Sequence, residues 1–426
     1  MHTIFKEADI LLPKKDVDMS RWSVIACDQF TSEPEYWEAV KDTVGGAPST
    51  LSMFLPEVYL EEGNTEARLR EISRVMEERL NSGFFHKYPD SMIYIRRIDS
   101  SNNLREGLVG CIDLEEYEYY PGSHTPVRAT EATIPDRLPP RVYIREKAIF
   151  ELPHVIVLID DEEGTVIEKV GTDCEKLETI YDYDLMLGGG HITGYLLDQA
   201  AQKSVKEALE HLSQPEIMKK KYPGIKNADM VYAVGDGNHS LASAKEFYEQ
   251  LKRSYPDEDL SDHPARYALV ELVNLHSKAL EFEAIHRIIR DVEPEHFEEE
   301  MIKKLGLEET EDKQADSGQE FDLVIAGKKK HYRISKPQSK LTVANVQNFL
   351  NWYTEEYGGK TDYIHGARTV IELSRKIGYA GILLPDMKKE ELFPAVMQDG
   401  TLPRKTFSMG HAQDKRYYTE CRRITR

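Results

Sequence analysis

The chain has 426 residues, 40% hydrophobic and 31% charged, the balance of a folded globular protein and not of a disordered one. Its 75 acidic against 55 basic side chains leave a formal net charge of −20, a field that repels nucleic-acid phosphates, so nucleic acid is not the expected partner. No stretch is long and apolar enough to span a bilayer, and the opening MHTIFKEADILLPKK is too briefly apolar and too acidic for a secretory signal; the expectation is a soluble, cytoplasmic protein with no membrane partner.

At roughly 150 residues per domain the length predicts two or three units. The four cysteines, Cys27, Cys111, Cys174 and Cys421, are widely spaced without any Cys-x-x-Cys, so the pattern suggests neither a zinc site nor a disulfide framework and fits a reducing compartment.

Along the chain, EPEYWEAVK and NTEARLREISRVMEERLNSG read as helices, the second with Asn64 or Thr65 as cap and Gly83 just past its end. SMIYIRRID and EGLVGCIDLEEYEY read as strands, rich in β-branched and aromatic residues. The stretch TPVRATEATIPDRLPPRVYIREKAIFELPHVIVLIDD holds Arg128, Arg137, Arg141 and Arg145 ahead of an apolar strand from His154 to Ile159. These arginines are either a solvated face or an anion-binding group, since the guanidinium fork suits phosphate and carboxylate. Gly188, Gly189 and Gly190 precede His191 and a long amphipathic helix pattern; their spacing matches no Walker or dinucleotide loop, and a mobile connection is expected.

Further on, ARYALVELVNLH and EFEAIHRIIR read as strands, residues 308–320 as a polar surface loop or sub-domain edge, LTVANVQNFLNWYTEEYG as a helix and YAGILLP as a strand. The expected architecture is α/β, α and β mixed, with mixed sheets. A first domain spans residues 1–290, and a C-terminal α/β sub-domain, residues 291–426, packs back on it.

The segment most suggestive of function is VYAVGDGNHSLASAKEFYEQL, residues 231–251. An apolar strand runs into Gly235-Asp236-Gly237-Asn238-His239 and then into a helix pattern. Gly237 permits backbone geometry closed to most residues, and free amides at the helix start together with its dipole favour an anion. Asp236 has the chemistry to bind magnesium or take a proton, His239 to bond a phosphoryl oxygen or act as acid, and Ser240 to add a hydroxyl. Equally, Asn238 or Ser240 simply caps the helix.

Together, VGDGNHSLASA, VRATEATIPDRLPPR, RWSVIACDQFTSEPEYW and LPRKTFSMG resemble the bacterial and archaeal family catalogued as domain of unknown function 1015, over nearly the whole chain. That family more distantly resembles the ParB-like and sulfiredoxin-like nucleotide-binding superfamily, whose Asp-Gly-His or Gly-Cys-His turn cradles phosphates, and which includes a free-serine kinase branch with an Asp-Gly-His-Thr-Arg turn and a catalytic glutamate elsewhere. On that resemblance Asp236, Gly237, Asn238 and His239 match the turn, which implies a ParB-like nucleotide-binding core with ATP or ADP and magnesium as cofactor; magnesium is expected on Asp236, and Gly235 and Ser240 beside the turn are expected to help hold the phosphates. Ser240-Leu241 stands where relatives often carry an arginine or Thr-Arg, so a basic group must come from another segment: Arg404, Lys405 and Arg128 are the candidates. Glu33 and Glu131 are candidate bases, Asp28 a lesser one, and Glu33 also suits a helix start before Pro34. His365 and His191 are further polar groups for a cleft.

Three functions remain open: a nucleotide-dependent phosphotransferase acting on a small polar metabolite, with serine suggested by the kinase branch; a nucleotide-binding regulator without rapid turnover; and a metal-dependent hydrolase. The last lacks His-Glu-x-x-His, Gly-x-Ser-x-Gly and clustered Cys/His ligands.

Overall fold

The computed structural model describes residues 3–60, 63–310, 319–410 and 412–426. The chain forms two compact units. The first comprises Met1–Ala129, Thr133–Leu280 and Gly410–Arg426; the second comprises Thr130–Ala132 and Glu281–Met409. The boundary therefore lies before Phe282–Arg290, not near residue 290. That strand, assigned to the first domain by its position in the sequence, hydrogen-bonds Tyr379–Leu383, Lys360–His365 and Phe407–Met409 in the second unit.

The first unit is built on a mixed sheet ordered Glu178–Asp184, His191–Leu196, Ile93–Ile98, Leu104–Asp113, Tyr267–Asn274, Ile156–Ile159, Tyr232–Asp236, Val127–Ala129 and Tyr117–Glu118, with Phe5–Lys6 added to Leu104–Asp113. Ile156–Ile159 runs parallel to Tyr267–Asn274 and antiparallel to Tyr232–Asp236, the mixed pairing expected from the sequence. One face is covered by helix Pro34–Val44, which starts with proline at its first position, ends on Gly45 at φ 54° and buries Trp37 and Val40 against Ile93, Ile95, Val109 and Leu269. Helix Thr65–Asn81 buries Leu69 and Met76.

The last residues return to this unit. Tyr417–Tyr418 pairs with Val24–Ile25, and Arg422–Arg423 with Phe150–Glu151. Buried charges fix the return. Glu271, 1% exposed, meets Arg105 at 3.2 Å and Arg416 at 3.2 Å, and Arg416 meets Glu420 at 2.5 Å. Such groups persist in a core only when paired.

The glycine run is not a loose connection into a helix. It closes a tight turn into strand His191–Leu196, and helix Gln199–Leu212 follows that strand. Gly190 has φ +84°, and a Cβ there would collide with the Ile98 carbonyl.

In the second unit a wholly antiparallel sheet, ordered Leu307–Glu309, Lys328–Ile334, Gln319–Ile325, Tyr379–Leu383, Phe282–Arg290 and Lys360–His365, is joined by helices Pro294–Leu305, Thr342–Tyr357, Ala367–Leu373 and Leu392–Asp399. Of the polar loop expected over 308–320, residues 311–318 lie outside the described residues. No helix among the described residues is long and apolar enough to cross a membrane, and the four cysteines are free thiols.

Candidate functional site

Strand Tyr232–Asp236 and helix Asn238–Ser254 are joined by Gly237 alone. Its φ of +79° is the left-handed geometry that glycine tolerates, and an added Cβ would press on Val155 at 3.0–3.1 Å. Leu241 donates the first helical backbone bond to the Gly237 carbonyl, and no side chain caps the helix. Asp236 Oδ1 accepts the Gly237 N–H at 3.0 Å. Asn238 Oδ1 and Thr133 Oγ1, both at this turn's margin, are buried without a hydrogen-bond partner, a condition that costs free energy unless something meets them.

Register brings the next groups in. Ile156 lies opposite Asp236, so His154, two residues earlier, stands beside the helix start. Its Nε2 is 2.9 Å from Ser240 Oγ and its Nδ1 2.9 Å from the Tyr418 hydroxyl, which accepts the Cys27 N–H at 3.2 Å. Asp28 Oδ2 lies 3.8 Å from His154 Nε2. Burial works to raise the Asp28 carboxyl, but His154, the Gln29 amide and Lys415 outweigh it and hold it below the ordinary carboxylate value. Lys415 closes the group, its Nζ 3.1 Å from Asp236 Oδ2. Two carboxylates, an ammonium, an imidazole and two hydroxyls thus converge on one uncapped helix start. The loop between Asp28 and Glu33 is held in an unusual conformation, with Phe30 at φ 51° and stacked on Tyr36 at 3.7 Å between ring centroids.

The other expected site residues fall as follows. His239 Nε2 accepts the Ile134 N–H at 3.3 Å, so its ring is anchored at the turn, and Gly235 lies within the strand. Glu33 is exposed at the start of helix Pro34–Val44 and makes no cap bond. Arg128 is buried; its guanidinium is committed to Asp229 and, at 2.9 Å, to the Thr125 carbonyl. Arg141 pairs with Glu57 and Arg145 with Glu151, while Arg137 is exposed, so the four arginines do not form one solvated face. His191 is held between Asp184 and Asp182 at 2.7 and 2.6 Å; the Asp184 bond, against burial and aided by Asp182, raises its pKa.

Glu131, Arg404, Lys405 and His365 belong to the second unit. There Glu131 bridges to Leu402, the Arg404 carbonyl accepts from Arg287 at 3.3 Å, and Lys405 is exposed with φ 57°. His365 ends strand Lys360–His365.

His154, Lys415 and Tyr418 are the members that spacing in the sequence does not single out. Only His154 left a trace, as the polar residue opening an apolar strand. A serine-hydrolase arrangement does not arise from Ser240 and His154, because Tyr418 occupies Nδ1 and Asp28 approaches Nε2 instead.

No curated protein matches the chain. Among solved structures, a free serine kinase in complex with AMP is 13% identical, with a TM-score of 0.38 over 74% of this chain and 90% of that one. A C-terminally truncated SbnI from Staphylococcus aureus is 10% identical, with a TM-score of 0.37 over 71% of this chain and 82% of that one. A conserved hypothetical protein from Pyrococcus furiosus is 12% identical, with a TM-score of 0.34 over 74% and 94% of the respective chains. The model of the family described as protein of unknown function (DUF1015) matches residues 10–353, and the chain belongs to that family.

Proposed function

We propose that the protein is a cytoplasmic nucleotide-binding enzyme that holds the phosphates of ATP or ADP at the start of helix Asn238–Ser254 and transfers a phosphoryl group to a small polar metabolite such as serine. The observation that carries this reading is the Lys415 ammonium, 3.1 Å from Asp236 beside a glycine-hinged helix start without a side-chain cap. Backbone amides, helix dipole and a fixed cation together suit a polyphosphate. Lys415 supplies the charge missing from Ser240-Leu241.

In this reading the amides and Lys415 bind phosphoryl oxygens, Asn238 and Ser240 orient them, and His239 shapes the turn. Asp28, beside His154, takes the proton of the acceptor hydroxyl as its oxygen bonds to phosphorus and the bridging P–O bond breaks toward the nucleotide. Asp236 would hold a magnesium ion, which needs only one or two carboxylates, and the ion would neutralise phosphate charge.

The test is calorimetric titration of magnesium-ADP and magnesium-ATP into the intact protein and its Asp236→Ala and Lys415→Ala variants, followed by mass spectrometry for a phosphorylated product with serine present. Binding that the variants lose, with product, supports the enzyme. A regulator that binds without turnover is favoured by the commitment of Arg128 to Asp229, which leaves the turn one cation poorer, and binding without product would establish it. No nucleotide binding by the intact protein overturns both.

A further inference from the structure

We propose that the first unit also carries a site for a small apolar carboxylate, a ring or branched hydrocarbon ending in one acid group. The site is a cavity of about 180 Å³. Its deep wall is hydrocarbon: Met53, Leu69, Met76, Phe150 and Leu241 are all buried. Ile72 and Ile144, on helices Thr65–Asn81 and Leu138–Lys147, line it while partly exposed and mark its open side. An engineered apolar cavity of about 150 Å³ takes up benzene, so a single ring with a short chain suits this volume. A nucleobase does not, because its ring nitrogens would face a wall that is mostly hydrocarbon.

The acid end is argued from charge. Arg145 lines the cavity and donates through Nη2 to Glu151 Oε2 at 2.6 Å. The other oxygen of Glu151 is already taken by Arg422 at 2.6 Å and by the Leu269 N–H at 2.8 Å. One carboxylate thus serves two guanidiniums. Arg141, also on the cavity wall, is balanced by Glu57, and the Nε–H of Arg145 is buried with no partner. Arg145, with 15% of its side chain exposed, thus brings one surplus positive charge to the wall of an apolar chamber, and a ligand carboxylate balances it.

The cavity shares His154, Ser240 and Tyr418 with the helix start, but the inference rests on its apolar wall and Arg145 and not on phosphoryl transfer, and its test uses the intact protein without nucleotide or magnesium. Calorimetry with 3-phenylpropionate and with 3-phenylpropan-1-ol compares the acid with a neutral molecule of the same body. The acid is expected to bind about tenfold or more tighter than the alcohol, the scale of a charge-assisted hydrogen bond. Arg145→Gln should bring the acid down to the alcohol's affinity and leave the alcohol unchanged. Ala244→Phe, which fills the cavity, should abolish both, with circular dichroism confirming the fold. Asp236→Ala should leave acid binding intact. Binding of neither probe by the unaltered protein, equal binding of the two, or loss of acid binding in Asp236→Ala overturns the proposal.

Discussion

The Lys415 ammonium lies 3.1 Å from Asp236 Oδ2, although one residue ends a central strand and the other sits in the returning tail. With side chains 16% and 23% exposed, the pair adds little to stability, at most about 1 kcal/mol. Lys415→Ala is therefore expected to leave the urea midpoint nearly unchanged while weakening magnesium-ADP binding about tenfold or more. Calorimetry beside a denaturation curve separates the two; equal losses of stability and binding would make Lys415 a structural residue.

Gly237 is a sharper structural test of the same turn. Alanine there must adopt φ near +79° with its Cβ 3.0–3.1 Å from Val155, so Gly237→Ala is expected to cost about 1–2 kcal/mol. Urea unfolding measures this. A neutral result would show that Val155 and the turn give way freely, and the anion-binding geometry would lose its rigid support.

Glu271 sits between Arg105 and Arg416 with 1% of its side chain exposed. Glu271→Gln leaves two buried guanidiniums short of a partner and is expected to cost about 3–5 kcal/mol. The tail should loosen with it, so limited proteolysis near the C-terminus is the second readout.

Acid should act through the same groups. Burial pushes the Glu271 carboxyl up, but Arg105, Arg416 and Arg97 more than offset it, and the pKa falls below the ordinary value. Glu151 is lowered likewise, Arg422 and Arg145 outweighing burial. A depressed folded value means that stability is fully present above the unfolded pKa, about 4.3, and is lost as pH falls through the folded value. The urea midpoint should therefore drop below about pH 4, and Glu271→Gln should drop less steeply than the unaltered protein.

Much of the fold was legible locally. Proline at the start and glycine at the end delimit Pro34–Val44, apolar spacing gives Thr65–Asn81 and Thr342–Tyr357, and β-branched runs give Ile93–Ile98, Tyr267–Asn274 and Phe282–Arg290. These signals are local because helix and strand periodicity reside in neighbouring residues. The glycine run misled for a related reason: the collision that makes Gly190 tight comes from Ile98, a strand away.

For the candidate site, the sequence by itself determined the centre, a strand, a glycine hinge and a helix start at Asp236–Ser240, because that turn's chemistry is written in consecutive residues. Only the tertiary structure decided what surrounds it. Strand register set His154 against Ser240, the returning tail delivered Lys415 and Tyr418, and Asp229 withdrew the buried Arg128. Each of these depends on pairing between distant segments, where burial and charge compensation, not local propensity, choose the neighbour.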